Sequence, residues 1–156
     1  MKLWIGAIPL LAAGLVGCAS DPCLTRLAEA PAAGRQGIVF RNEFSDAFVL
    51  TRALFVLDGA ILADLPETPG KPLPMEVLLT PATPQSGDHT LRVLLQLRGN
   101  GYGVFAYLRG YRFEVKSSHA FSLDGRRPLR LEVVAWERGG TWTPLEGRPA
   151  ICYAEF

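Results

Sequence analysis

The sequence predicts an all-β fold, an antiparallel β-sandwich of immunoglobulin-like or transthyretin-like kind that follows a cleaved leader and a short tether. Three observations lead there. From Ile38 onward, short apolar stretches are separated by Gly, Pro, Asn and Asp, and none carries a helical period. Several stretches alternate apolar with polar residues, as strands do when one face packs on a core and the other meets water. The stretches also recur with turn residues between them at the short spacing of a sandwich.

Residues 1–17 come first. They hold one charge, Lys2, then an apolar run from Leu3 to Val16 and a small residue, Gly17. This is the pattern of a secretory signal peptide, and its apolar part is too short to remain as a membrane-spanning helix. Residues 18–37 read as a tether: Ala, Pro and Gly dominate from Ala19 to Gly37, a composition that seldom builds a core, with one short helical turn expected at 24–30. The single domain is expected at 38–156.

Within it, strands are expected near 38–44, 47–57, 61–65, 75–80, 89–98, 104–108, 111–117, 128–137 and 150–155. In HTLRVLLQLR, Leu91, Val93, Leu95 and Leu97 fall on one face, with Arg92, Gln96 and Arg98 on the other. In YRFEVKS, Tyr111, Phe113 and Val115 alternate with Arg112, Glu114 and Lys116. In LRLEVVAWER, Leu129, Leu131, Val133 and Ala135 alternate with Arg130, Glu132, Val134 and Trp136. All three are expected to be half-buried. Asp58-Gly59 and Asp124-Gly125 are hairpin signals. The proline-laden LPETPGKPLP, 65–74, cannot occupy a central strand and is expected to be a loop or a crossover at a sheet edge.

Charge narrows the classes of partner. Loss of 17 residues from 156 removes Lys2 from the 16 basic residues and leaves them balanced against 15 acidic ones, which argues against a nucleic-acid binder. Acidic residues predominate from Asp21 to Asp88 and basic ones from Arg92 to Arg138, so an arginine-bearing face is expected, with an ordinary solvated sheet face as the alternative.

Leu15-Val16-Gly17-Cys18, placed at the end of the signal, resembles the lipobox of bacterial lipoproteins. The resemblance implies that the peptide is cut before Cys18, that the Cys18 thiol carries a diacylglyceryl group and that its new amino group is acylated. Residues 19 and 20, Ala and Ser, lack the aspartate that marks inner-membrane retention in enteric-type systems, so the resemblance implies the outer membrane. The alternative is an ordinary secretory signal, which exports a soluble protein. With Cys18 assigned to lipid, Cys23 and Cys152 remain as an even pair in an oxidising compartment, where a disulfide is expected; two buried free cysteines are the other option.

Asp58-Gly59 followed by SGDHTLRV at 86–93 is similar to the PEGA-type modules of bacterial surface proteins, small β-sandwiches in which a strand ends in Asp-Gly and a later Gly-x-His turn opens an alternating strand. The similarity spans about Leu54 to Val115, without the Pro-Glu-Gly-Ala tetrapeptide and with the proline loop inserted between the two motifs. It implies an accessory or binding unit.

No catalytic signature stands out. His89 could act as a base oriented by Asp88, but adjacent strand residues point to opposite faces, which favours a turn or strand-edge role. His119 lies beside Ser117 and Ser118, and no Gly-x-Ser-x-Gly elbow is present. Two histidines and two cysteines at scattered positions lack zinc spacing, and no cofactor is expected. RGNGYGVFAYLRGY, 98–111, is the most unusual stretch. Its glycines lead toward a strand and not into a helix, unlike a phosphate-binding loop. Tyr102 and Tyr107 beside Arg98, Arg109 and Arg112 could stack a sugar ring and hold an acidic group. A plain hairpin with cross-strand aromatic pairs is the alternative. The sequence as a whole is expected to be a non-enzymatic outer-membrane lipoprotein that meets an envelope protein. A peptidoglycan or polysaccharide binder is the second expectation, and a hydrolase using His89 or His119 the third.

Overall fold

The structure, a computed structural model, describes Cys23 and residues 36–69, 71, 73–79, 86–101, 103–126, 128–140 and 142–156. The signal peptide, Cys18, the expected helical turn at 24–30 and Tyr102 lie outside these residues.

Eight strands form two four-stranded sheets. They are β1 (Gly37–Asn42), β2 (Phe48–Leu57), β3 (Ala60–Pro66), β4 (Glu76–Leu79), β5 (Gly87–Gly99), β6 (Arg112–Leu123), β7 (Arg130–Glu137) and β8 (Pro149–Glu155). Sheet A has the order β4-β1-β7-β8 and sheet B the order β3-β2-β5-β6. All pairings are antiparallel except β1 with β7, where Gly37–Asn42 runs alongside Arg130–Ala135. The arrangement is the expected β-sandwich, and four strands facing four departs from the four-plus-three constant-type immunoglobulin arrangement.

The alternation in β5 holds along its length: Leu91, Val93, Leu95 and Leu97 are buried, while Arg92 and Arg98 are exposed. Those leucines meet Ile38, Phe40, Leu131 and Val133 of sheet A in one core. Phe40 and Phe55 join the two sheets edge to face, with ring centroids 5.0 Å apart. The β2–β3 hairpin turns at Asp58 (φ 51°) and Gly59 (φ 86°), two left-handed residues as a type I′ turn needs. The proline-rich stretch leaves β3 in sheet B and reaches β4 in sheet A, so it is a crossover between sheets.

Four expectations are corrected. Residues 104–108 form no strand: Gly103–Leu108 is a 3-10 helix within the β5–β6 connection. Gly99 makes this turn possible, because a Cβ there would lie 2.3 Å from the Leu108 carbonyl oxygen. Asp124-Gly125 turns the chain but makes no hairpin, since β6 and β7 belong to different sheets. β6 runs to Leu123, past the expected end at 117, because Ser117, His119 and Phe121 continue its inward face. Last, β7 is not half-buried: Leu131 to Ala135 are buried on both faces.

On the second face of β7, Cys23 packs against Val134. Cys23 is helical and is disulfide-bonded to Cys152 of β8, and the pair packs with Val134, Trp136 and Ala154 in a small cluster of its own. Glu132, on the same face, is also buried, and Arg41 Nη1 donates to its Oε1 at 2.6 Å. Arg41 also pairs with Glu43.

Candidate functional site

The residues singled out at 98–112 gather at one end of sheet B. The register brings the end of β5 to the start of β6, with Arg98 directly opposite Arg112. Two like charges opposite each other repel unless compensated. Arg98 is compensated, donating from Nη2 to Glu67 Oε1 at 3.2 Å. Arg112 has no ion pair among the described residues. Both arginines line a groove of about 460 Å³ on the outer surface of sheet B, together with Arg52, Glu67, Gln96 and Glu114. Arg52 is held by Asp64 through two bonds, Nε to Oδ1 at 2.9 Å and Nη2 to Oδ2 at 2.7 Å. That bond and the Arg52 charge hold the Asp64 carboxyl below its ordinary pKa. The Lys116 and Gln96 side chains do the same for Glu114.

Tyr107 and Arg109 stand apart from this groove, on the 3-10 turn and its exit. Tyr107 is 70% exposed, and Arg109 reaches the Gly101 carbonyl, at 3.4 Å from both Nε and Nη2. The five residues expected to act together therefore divide: Arg98 and Arg112 share the groove, Tyr107 and Arg109 cap the neighbouring loop, and Tyr102 is outside the described residues. Tyr111 is 61% exposed and packs its ring at 5.6 Å from Phe113.

Trp142 was not singled out in the sequence, yet it is 96% exposed. It lies in the β7–β8 loop, at the same end of the sandwich. The parallel β1–β7 pairing puts the ends of both strands together, and Asn100 N donates to Ala47 O between the β5–β6 and β1–β2 loops. The cue available was Gly139-Gly140 just before the tryptophan, a turn signal that places it in a surface loop.

The histidines sit elsewhere. His89 does not pair with Asp88. Its Nδ1 faces Asp58 Oδ2 at 2.7 Å, and Asp58 Oδ1 accepts the Thr90 N–H at 2.8 Å, so both tie β5 to the β2–β3 turn. The His89 and Thr90 bonds hold the Asp58 carboxyl below its ordinary pKa. Asp88 instead accepts from the Ser122 hydroxyl. His119 Nε2 lies 2.8 Å from Glu155 Oε1, and its ring stacks on Tyr153 with centroids 4.5 Å apart. This joins the β6 edge of sheet B to the β8 edge of sheet A. Burial pushes the Tyr153 hydroxyl pKa up, against the opposing effect of Ser117. Among the described residues, no group of three His, Cys, Asp or Glu side chains is placed to hold a metal.

No known protein family, no curated protein and no solved structure matches this chain.

Proposed function

We propose that the chain is an outer-membrane lipoprotein whose sandwich serves as a non-enzymatic interaction module of the cell envelope. The observation that carries the proposal is the Cys23–Cys152 disulfide, a bond that persists in oxidising compartments. It agrees with the signal-like segment 1–17 and with the LVGC motif ending at Cys18. The likeness to PEGA-type modules from Leu54 to Val115 supports the same role. In this proposal the lipid confines the domain to a plane and raises its effective concentration against partners there.

Mass spectrometry of the N-terminal peptide and membrane fractionation test the anchor. Wild-type protein should begin at an acylated Cys18 and sediment with outer membranes, whereas a Cys18→Ala protein should keep residues 1–17 and carry no acyl group. An unmodified Cys18 in wild type would remove the proposal. Cross-linking in intact cells followed by affinity capture tests the partner. One protein recovered at near-stoichiometric yield would support an accessory subunit.

A specific observation favours a second candidate, glycan binding: Tyr107, Tyr111 and Trp142 are exposed at the end of the sandwich that also carries Arg109 and Arg112. Exposed rings beside guanidinium groups that form no ion pair among the described residues suit a sugar with an acidic substituent. Co-sedimentation with purified peptidoglycan, lost in Tyr107→Ala and Arg109→Ala proteins, would support this reading. No sedimentation of the wild type would dismiss it.

A further inference from the structure

A sheet edge offers a row of backbone N–H and C=O groups to any other strand, and stable monomers shorten, bulge or cover their edges. Three of the four edges here are managed in that way. β4 has only four residues. β3 is bulged against β2 and ends in Pro66, and β8 starts at Pro149. β6 is the exception. It is 12 residues long, contains no proline, and keeps an unbroken register with β5 from Arg98↔Arg112 to Gly87↔Leu123. Among the described residues it pairs with no other strand. Its second half is closed against β8 by the His119–Glu155 contact and the His119–Tyr153 stack. Among the described residues, no strand other than β5 pairs with the half from Arg112 to Ser118, although the Ser117 side chain meets Tyr153.

We infer that this half of β6 is a homodimer interface, pairing antiparallel with the same segment of a second copy about a two-fold axis at Val115. Charge and strand length together favour this register: an axis at Phe113 would also oppose Arg112 to Glu114, but it would pair only residues 112–114 of β6. With the axis at Val115, Glu114 of each copy faces Lys116 of the other, giving two symmetric opposite-charge pairs. Arg112 faces Ser118, Phe113 faces Ser117, and Val115 faces itself. An axis at Glu114 would oppose Glu114 to itself and Arg112 to Lys116, and an axis at Lys116 would oppose Lys116 to itself. Both place like charges directly across the pair, which destabilises it. An axis at Ser117 would need residues already turned toward β8. In the single chain Lys116 Nζ and Glu114 Oε1 meet at 2.6 Å along the same exposed strand, so both charges are in place to exchange partners. The dimer joins two sheets B into one continuous sheet, and it does not depend on the lipid anchor.

The test uses the full-length protein in intact cells. In a Val115→Cys protein the two new thiols face each other at about 4.5–5.5 Å between Cα atoms, within disulfide reach. A mild oxidant should yield a reducible dimer whose linked peptide joins position 115 to position 115. A Ser118→Cys protein should not, because its two thiols lie roughly 20 Å apart along the paired strands. Sedimentation of the solubilised protein gives the independent readout: Lys116→Glu should weaken association roughly tenfold, and adding Glu114→Lys should restore it. A monomeric Val115→Cys protein, equal cross-linking at position 118, or failure of the double exchange to restore association would overturn the inference.

Discussion

Breaking the Cys23–Cys152 bond is the sharpest perturbation of this fold. The two residues are 129 positions apart, so the bond closes a loop that holds most of the chain. In the chain-entropy account, a loop of that size removes about 17 cal/mol/K from the unfolded ensemble, or about 5 kcal/mol at 25 °C. For a domain of this length each kcal/mol moves Tm by about 3–4 °C, so the melting point should fall by about 15–20 °C. Cys23→Ser isolates the cross-link, since the Cys152 thiol stays in place against Val134 as a small hydrophobe. Cys152→Ser adds the burial of a hydroxyl at a position only 2% exposed and should cost about 1–3 kcal/mol more. Urea unfolding followed by tryptophan fluorescence is the assay, because Trp136 packs in the same cluster. The m-value should rise on loss of the bond as the unfolded state expands. Wild-type and Cys23→Ser stabilities within about 1 kcal/mol of each other would refute the loop-entropy reasoning.

Three further outcomes are expected. Arg41→Met leaves the Glu132 carboxylate buried without its cation and should cost about 3 kcal/mol in chemical denaturation; a double Arg41→Met/Glu132→Met protein should recover most of that, and an unchanged single variant would contradict the pairing. Asp58 has a depressed folded pKa, so its contribution is complete above the unfolded value of about 3.9 and is lost as pH falls through the folded value. Carboxyl NMR titration should therefore show the Asp58 midpoint below the ordinary range, moving upward in His89→Gln, and an unmoved midpoint would exclude His89 as the main cause. Gly59→Ala meets no atom within 4 Å and pays only for its φ of 86°, about 1–2 kcal/mol, whereas Gly140→Ala, equally open but without a positive φ, should be neutral or slightly stabilising by thermal melting.

The parts of the fold that were legible in sequence are those where one strand carries its own signal. β5 announces its inward face through Leu91, Val93, Leu95 and Leu97, and Asp58-Gly59 announces its turn, because pleat and φ are local properties. The disulfide was legible from parity once Cys18 had been set aside. The errors share a different cause. The stretch 104–108 has a strand's composition, but its conformation is set by the Leu108 carbonyl closing on Gly99, a contact no local window contains. Asp124-Gly125 carries hairpin chemistry, yet the strands it joins lie in different sheets, which is a property of the topology. In the candidate site, the Arg98–Arg112 pairing follows from the β5–β6 register, whereas the place of Trp142 at the same end follows from the parallel β1–β7 pair.

β7 shows how the disulfide alters what a strand can be. Its outward residues, Glu132 and Val134, belong by pattern to a water-facing row, and an edge-to-edge count of polar residues would leave them exposed. Cys23 packs against Val134 in this row because it is bonded to Cys152 one strand away. Glu132 is buried on the same face and is paired with Arg41, which reaches it from the neighbouring β1. The cross-link, the apolar cluster and the ion pair therefore share one face of sheet A. Cys23→Ser should loosen this face and reduce the cost of Arg41→Met, so the two substitutions should be less than additive by about 1–2 kcal/mol in a double-mutant cycle. Strict additivity would mean that the burial of Glu132 does not depend on the bond.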